Sequence, residues 1–135
     1  MSKSNRISGY FAYGGVLLVP VTLNADRYIF MVDCGAAHCA LNRRKLDVIN
    51  AEPAGVNLTI APVGKNLVTA PALTVRDFMV GAQKQNDILL AALDFPDALT
   101  KLDGLLGMNF LRNYRFTIEP DTATLVLREI PIRKK

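Results

Sequence analysis

The chain has 135 residues, a length that suits one domain with its own hydrophobic core. Half of its residues are hydrophobic and 21% are charged, which is a globular rather than a disordered composition. The net charge of +4 arises at the two ends of the chain, where basic residues cluster, so the nearly neutral body does not indicate a nucleic-acid surface.

The first predicted element is a β-hairpin that ends at an aspartate. Residues 16–23 are β-branched and aliphatic, residues 24–27 are turn formers, and residues 28–32 form a second apolar run. The second strand ends at Asp33, and the small residues 34–37 that follow it allow a tight turn.

The middle of the chain predicts short elements. Residues 38–42 are interpreted as a short strand or turn and residues 43–48 as one or two helical turns. Residues 51–80 contain short β-prone runs interrupted by Pro and Gly, which predict short strands joined by a hairpin. The best turn candidate is 61–66, because Gly and Asn tolerate the positive φ angles of a hairpin tip. Residues 88–93 predict a buried strand.

The last third of the chain predicts a loop, a glycine-flanked leucine pair and a second hairpin. Residues 95–102 are interpreted as a polar loop or a helical turn. The run 104–107 places two leucines between two glycines, and residues 108–114 have helical character. The closing strands are predicted at 115–119 and 124–128.

These elements define one folded domain. We place it at residues 16–128, between an N-terminal segment at 1–15 and a basic tail at 129–135. The apolar runs are too short to cross a bilayer, so we expect a cytoplasmic protein without a membrane segment.

The least ordinary residue is Asp33, which ends an entirely apolar strand. Burying a carboxylate is costly unless it is paired or holds a proton, so such a residue usually has a reason to be there. One reason is structural, because an aspartate can accept backbone N–H bonds and organise a turn. From the residue pattern alone this interpretation and a catalytic one are evenly balanced.

Three spaced blocks of the chain resemble the retropepsin-like aspartic proteases, in particular bacterial members of that family. The family's Asp-Thr/Ser-Gly-Ala motif is matched by Met31-Val32-Asp33-Cys34-Gly35-Ala36, and its second, apolar-apolar-Gly motif is matched by Leu105-Leu106-Gly107. The opening Val-Pro-Val-Thr-Leu-Asn run and the closing Arg-Phe-Thr-Ile hairpin also agree. The blocks keep their order over about residues 16–127.

The resemblance implies a mostly β acid protease fold, closed and barrel-like, with one or two short helices. It also implies an aspartic endopeptidase that hydrolyses peptide or protein substrates without a metal or another cofactor. The second motif contains no aspartate, so one chain supplies only half of the site. We therefore expect a homodimer in which Asp33 meets the Asp33 of a second copy across a two-fold axis.

The resemblance also assigns roles around Asp33. Cys34, Gly35 and Ala36 form the active-site loop and the dimer brace. Family members usually have Thr or Ser at the position of Cys34, and its hydroxyl bonds across the dimer. A thiol is a weaker donor, so this brace should be looser.

Two further regions are expected to contact substrate. Ala37 and His38 correspond to positions that line the cleft in the family. Val63, Gly64 and Lys65 are the best candidates for the tip of a hairpin that closes over the substrate.

Two alternatives to a protease remain open. The first is a catalytically weak or inactive member of the family that binds peptides or serves in assembly. The second is a cysteine-centred redox or metal protein, suggested by His38 between Cys34 and Cys39. A structural metal site needs about four well-spaced ligands, so we favour a His38 at the rim of the site and a buried Cys39. Asp103 is interpreted as a surface or turn residue.

Overall fold

The computed structural model describes residues 4–61, 66–99 and 101–131. Strands account for 55% of the chain and helices for 8%, which confirms the mostly β prediction. The strands are β1 (Ser4–Ser8), β2 (Tyr10–Ala12), β3 (Val16–Leu23), β4 (Asp26–Val32), β5 (Cys39–Asn42), β6 (Glu52–Ile60), β7 (Val68–Thr74), β8 (Phe78–Val80), β9 (Gln83–Gln85), β10 (Leu90–Leu93), β11 (Gly104–Leu106), β12 (Tyr114–Glu119) and β13 (Thr124–Glu129). The helical elements are α1 (Met108–Leu111) and two 3-10 turns, Arg43–Lys45 and Asp97–Leu99.

Most strands belong to one large sheet that is curled into a half-barrel. Its order is β6-β7-β10-β5-β11-β4-β3-β8-β9, and β2 pairs with β3 beside this path. The retropepsin-like fold expected from the resemblance is confirmed by a structural match that is reported below.

The predicted first hairpin is confirmed as β3 and β4. The two strands pair without interruption from Leu18 opposite Met31 to Leu23 opposite Asp26. Asn24 and Ala25 form the connection with φ angles of 51° and 73°, the left-handed values that a tight two-residue hairpin turn requires. The turn is thus shorter than predicted, and β4 begins two residues earlier.

The centre of the large sheet contains a crossing that positions the site. Strand β11 lies between β4, to which it is parallel, and β5, to which it is antiparallel. The chain leaves β4 on one side of β11 and returns as β5 on the other. Residues 33–38 must therefore pass over the end of β11.

The middle region forms longer strands than the sequence predicts. Strand β6 has nine residues and pairs with β7, with a shift in register between Pro53 and Asn57. Gly55 lies inside this irregularity with φ = 78°, so a bulge accommodates the Pro and Gly that were expected to end a strand. The proposed hairpin tip at Val63, Gly64 and Lys65 lies outside the described residues.

The second sheet has three strands in the order β1-β13-β12. The closing hairpin of β12 and β13 is confirmed, and β13 extends to Glu129. Residues that the sequence analysis assigns to an N-terminal segment are paired within the fold. Strand β1 pairs with β13 from Ser4 opposite Arg128 to Ser8 opposite Thr124, and β2 pairs with β3.

A row of aromatic rings joins the two sheets. The centroid of Phe78 lies 5.9 Å from that of Phe30 and 5.5 Å from that of Phe110, and Phe110 lies 5.1 Å from Tyr114. The three phenylalanines are fully buried. Each such ring stabilises the fold by about 1.5–3 kcal/mol through its burial. The row therefore fixes α1 and β12 against the underside of the large sheet.

In the part of the chain that the structure describes, none of the helices has the length and apolar character needed to cross a membrane.

Candidate active site

Asp33 lies at the point where β4 ends and the crossing segment begins. Its backbone N–H donates to the carbonyl of Leu106 at 3.0 Å, which continues the pairing of β4 with β11 by one residue. Its carboxylate Oδ1 accepts a hydrogen bond from the Gly35 N–H at 3.1 Å. The Ala36 N–H donates to the Asp33 carbonyl at 3.1 Å. Asp33 thus organises its own turn while the carboxylate stays partly exposed.

The crossing segment rests on the first turn of α1. The Met108 N–H donates to the Ala36 carbonyl at 2.7 Å, and the Asn109 N–H donates to the Ala37 carbonyl at 3.0 Å. The first N–H groups of a helix have no partner within the helix, so here they bind the active-site loop. The two sequence motifs, 33–36 and 105–107, are therefore in direct contact.

Gly107 is the residue that permits this contact. A Cβ atom at this position would lie 2.5 Å from the His38 carbonyl oxygen, closer than real Cβ atoms approach. On the other side of the motif Leu106 is fully buried, and Leu105 is partly buried. The second motif thus supplies packing and a close approach, and it brings no carboxylate to the site.

Asn109 holds the site from below, a role that the sequence analysis does not assign. Its side-chain Oδ1 accepts a hydrogen bond from the Cys39 N–H at 2.8 Å, and its Nδ2 donates to the Leu89 carbonyl at 2.8 Å. One side chain therefore joins α1, the start of β5 and the segment before β10. The available signal was a polar residue in an otherwise apolar helical turn.

The two cysteines differ in their surroundings. Cys34, next to Asp33, is exposed, whereas Cys39 is fully buried, as predicted. Burial raises the pKa of the Cys39 thiol to about 12. The Gly107 N–H donates to the Cys39 Sγ at 3.3 Å, so this thiol serves as an acceptor in the core. Both cysteines are free thiols.

The predicted substrate-lining residues lie on the crossing segment. Ala37 is exposed, and His38 is partly buried. The His38 Nδ1 atom is inaccessible and has no hydrogen-bond partner among the described residues. His38 lines a groove of about 480 Å³ together with the segment 84–89 and the end of α1. In the described ranges no group of three or more His, Cys, Asp or Glu side chains could hold a metal ion.

Asp103 corrects one prediction. Its side chain is only 14% exposed, so the interpretation as a surface residue is wrong. Its Oδ2 accepts from the Ile29 N–H at 2.8 Å, and its own N–H donates to the Ile29 carbonyl at 3.0 Å. Lys45 Nζ lies 3.7 Å from its Oδ1. Asp103 therefore fixes the start of β11 beside β4, away from the loop of Asp33.

Comparison with known proteins identifies the family. A family model described as aspartyl protease matches residues 19–110, a range that contains both motifs. No curated protein matches the chain. Among solved structures, the crystal structure of a retropepsin-like aspartic protease from Rickettsia conorii is similar, with a TM-score of 0.67 and 20% sequence identity. The similarity covers 96% of this chain and 94% of that chain.

The chain belongs to the aspartyl protease family. Its fold is retropepsin-like. Family and fold together support a protease-type function.

Proposed function

We propose that this chain is one protomer of an aspartic endopeptidase, and that the active enzyme is a homodimer in which two Asp33 carboxylates share one site. The observation that carries the proposal is the position of Asp33. It ends β4 in a loop that is bonded to α1, with one carboxylate oxygen oriented by Gly35 and the carboxylate accessible to solvent.

The proposed chemistry follows from the electrostatics of two adjacent carboxylates. Two such groups within hydrogen-bond reach cannot both ionise cheaply, so they hold one proton between them and titrate as a pair. The ionised member removes a proton from a water molecule, which attacks the carbonyl carbon of the scissile peptide bond. The protonated member stabilises the developing oxyanion, and the leaving nitrogen is then protonated.

A dimer is proposed because one chain supplies one suitable carboxylate. The second motif ends at Gly107, which is packed against the His38 carbonyl, and Asp103 is committed to Ile29. A two-fold axis beside the loop of Asp33 would supply the missing group from an identical chain. Cys34, Gly35 and Ala36 would then lie next to that axis.

A second candidate function is peptide binding without hydrolysis. The observation in its favour is Cys34, an exposed thiol at the position where the family usually has a hydroxyl residue. A weaker brace across the axis would let the two carboxylates drift apart while the cleft still binds peptides.

The test is cleavage of a proteome-derived peptide mixture at about pH 4 to 7, read by mass spectrometry. We expect the wild-type chain to cleave and Asp33→Asn to lose at least about 100-fold in rate, because the paired acid and base are removed. Asp47→Asn is the matched control, since Asp47 is exposed and distant from the motif in sequence, and it should retain full activity.

The two candidates give different outcomes in this assay. Cleavage that is unchanged in Asp33→Asn contradicts the proposed mechanism. Peptide binding by the wild-type chain, with no cleavage under any condition, supports the non-catalytic module instead.

A further inference from the structure

The groove beside His38 contains more positive than negative charge. Lys84 and Arg112 contribute two fixed positive charges to its lining, and Asp87 contributes one carboxylate. The lining is otherwise rich in amides, including Asn86. This balance differs from that of the domain body, which is nearly neutral.

Several of the amides that line the groove are already committed to the fold. Asn109 uses its side chain on Cys39 and Leu89, and Asn113 donates to the carbonyls of Asn109 and Phe110 at 3.1 Å each. Gln85 donates to the hydroxyl of Tyr114 at 2.9 Å. The groups left to meet a ligand are therefore mainly cationic.

Three donors remain after this accounting. Arg112 is exposed and forms no ion pair with the described residues. Lys84 is held 2.9 Å from Asp77, so its charge is partly balanced. The inaccessible Nδ1 of His38 has no described partner, and an inaccessible polar atom without a partner is unfavourable. An incoming carboxylate would satisfy it.

The groove is continuous with the loop of Asp33. His38 belongs both to the crossing segment and to the groove lining, and its carbonyl packs on Gly107. Asn109, at the base of the groove, bonds the same crossing segment. A peptide that reaches the loop of Asp33 can therefore extend into the groove.

We propose that this groove binds an acidic stretch of a peptide substrate, in residues beyond those next to the scissile bond. Charge complementarity is the basis of this assignment, since carboxylates would pair with Arg112 and Lys84 and accept a hydrogen bond from His38. The inference rests on the proposed function only in describing the peptide as a substrate.

The first test measures binding and needs no cleavage. Fluorescein-labelled hexaglutamate is titrated with the full chain carrying Asp33→Asn, and anisotropy is recorded at low salt. We expect Arg112→Gln and Lys84→Gln, each added to that chain, to weaken binding by about three- to tenfold. Hexaglutamine should not bind, and binding of hexaglutamate should weaken as salt is added.

The matched control is Arg27→Gln in the same background. Arg27 is an exposed arginine six residues before Asp33 on β4, roughly 20 Å along the strand from it. Its loss changes the net charge equally, so binding should be unaffected if the groove is the site. Absence of hexaglutamate binding, or equal weakening in Arg27→Gln, overturns the proposal.

A second test separates this inference from the proposed function. Peptides cleaved by the wild-type chain are resynthesised with glutamate or glutamine in the outer positions. A higher kcat/KM for the glutamate set that disappears in Arg112→Gln supports the groove, and no difference between the sets contradicts it. Hexaglutamate binding in a chain that cleaves nothing leaves the groove supported and the endopeptidase contradicted.

Discussion

Cys34 and Cys39 are five positions apart and have opposite chemical character. The crossing segment carries Cys34 at its exposed surface, whereas Cys39 begins β5 in the core. Burial disfavours the thiolate, which raises the pKa of Cys39 to about 12 and leaves it unreactive near neutral pH. The chemistry of thiols at the site therefore belongs to Cys34.

We predict that iodoacetamide at about pH 8 modifies Cys34 alone in the native chain, since alkylation requires an accessible thiolate. Cys39 should react only after the chain is unfolded in denaturant. Mass spectrometry of the digested protein locates the label. Rapid labelling of Cys39 without denaturant would contradict the packing of β5.

Asp33 and Asp103 show what the sequence can and cannot separate at this scale. Both carboxylates accept a backbone N–H, but Asp33 bonds Gly35 two positions away, whereas Asp103 bonds Ile29 across 74 positions. The local bond follows from a turn-forming sequence, and the distant one follows only from the placement of β11. The role of Asp33 in its turn was therefore predictable, and that of Asp103 was not.

At the scale of elements, the loop of Asp33 is positioned by strands and a helix that are far apart in sequence. Strand β11 separates β4 from β5, and α1 binds the segment that crosses it. Asn109 adds a polar connection to β5 and to the residues before β10. The rigidity of the site therefore depends on the second motif although that motif contributes no carboxylate.

We predict that Asn109→Ala lowers the free energy of unfolding by about 2 kcal/mol, because two hydrogen bonds are lost and the backbone groups of Cys39 and Leu89 lose their partners. Denaturant unfolding measures the change. Asn57→Ala, at an exposed position of β6, should change the stability by less than about 0.5 kcal/mol. Equal stability of the two variants would contradict the bridging role of Asn109.

The elements that were predictable are those whose partners are adjacent in sequence. The hairpins β3–β4 and β12–β13 followed from two apolar runs around turn formers. Strand β1 was missed because its sequence, Ser-Asn-Arg-Ile-Ser, is mostly polar and its partner begins at Thr124. Its pairing is set by the tertiary fold and leaves no local pattern.

At the scale of the whole molecule, the proposed active unit is a pair of identical chains. Each would contribute one Asp33, so neither can hydrolyse a peptide bond alone. Dimer formation obeys mass action, and activity per chain should therefore rise with protein concentration until the dimer is saturated.

We predict that an excess of inactive chains suppresses the wild-type enzyme. With a fourfold excess of Asp33→Asn, random pairing leaves about one fifth of the wild-type chains in fully active dimers. The rate of peptide cleavage should fall to about that fraction when substrate is in large excess over both chains. An unchanged rate after full subunit exchange would indicate a chain that acts alone.

The distance between the two Asp33 carboxylates in a crystal of the dimer tests the shared site most directly. A pair that acts as base and acid must lie within direct hydrogen-bond reach or be bridged by one water, which corresponds to about 3 to 5 Å between the nearest oxygens. The proposed mechanism predicts a distance in that range. A dimer in which the carboxylates lie too far apart for one water to bridge them would contradict it.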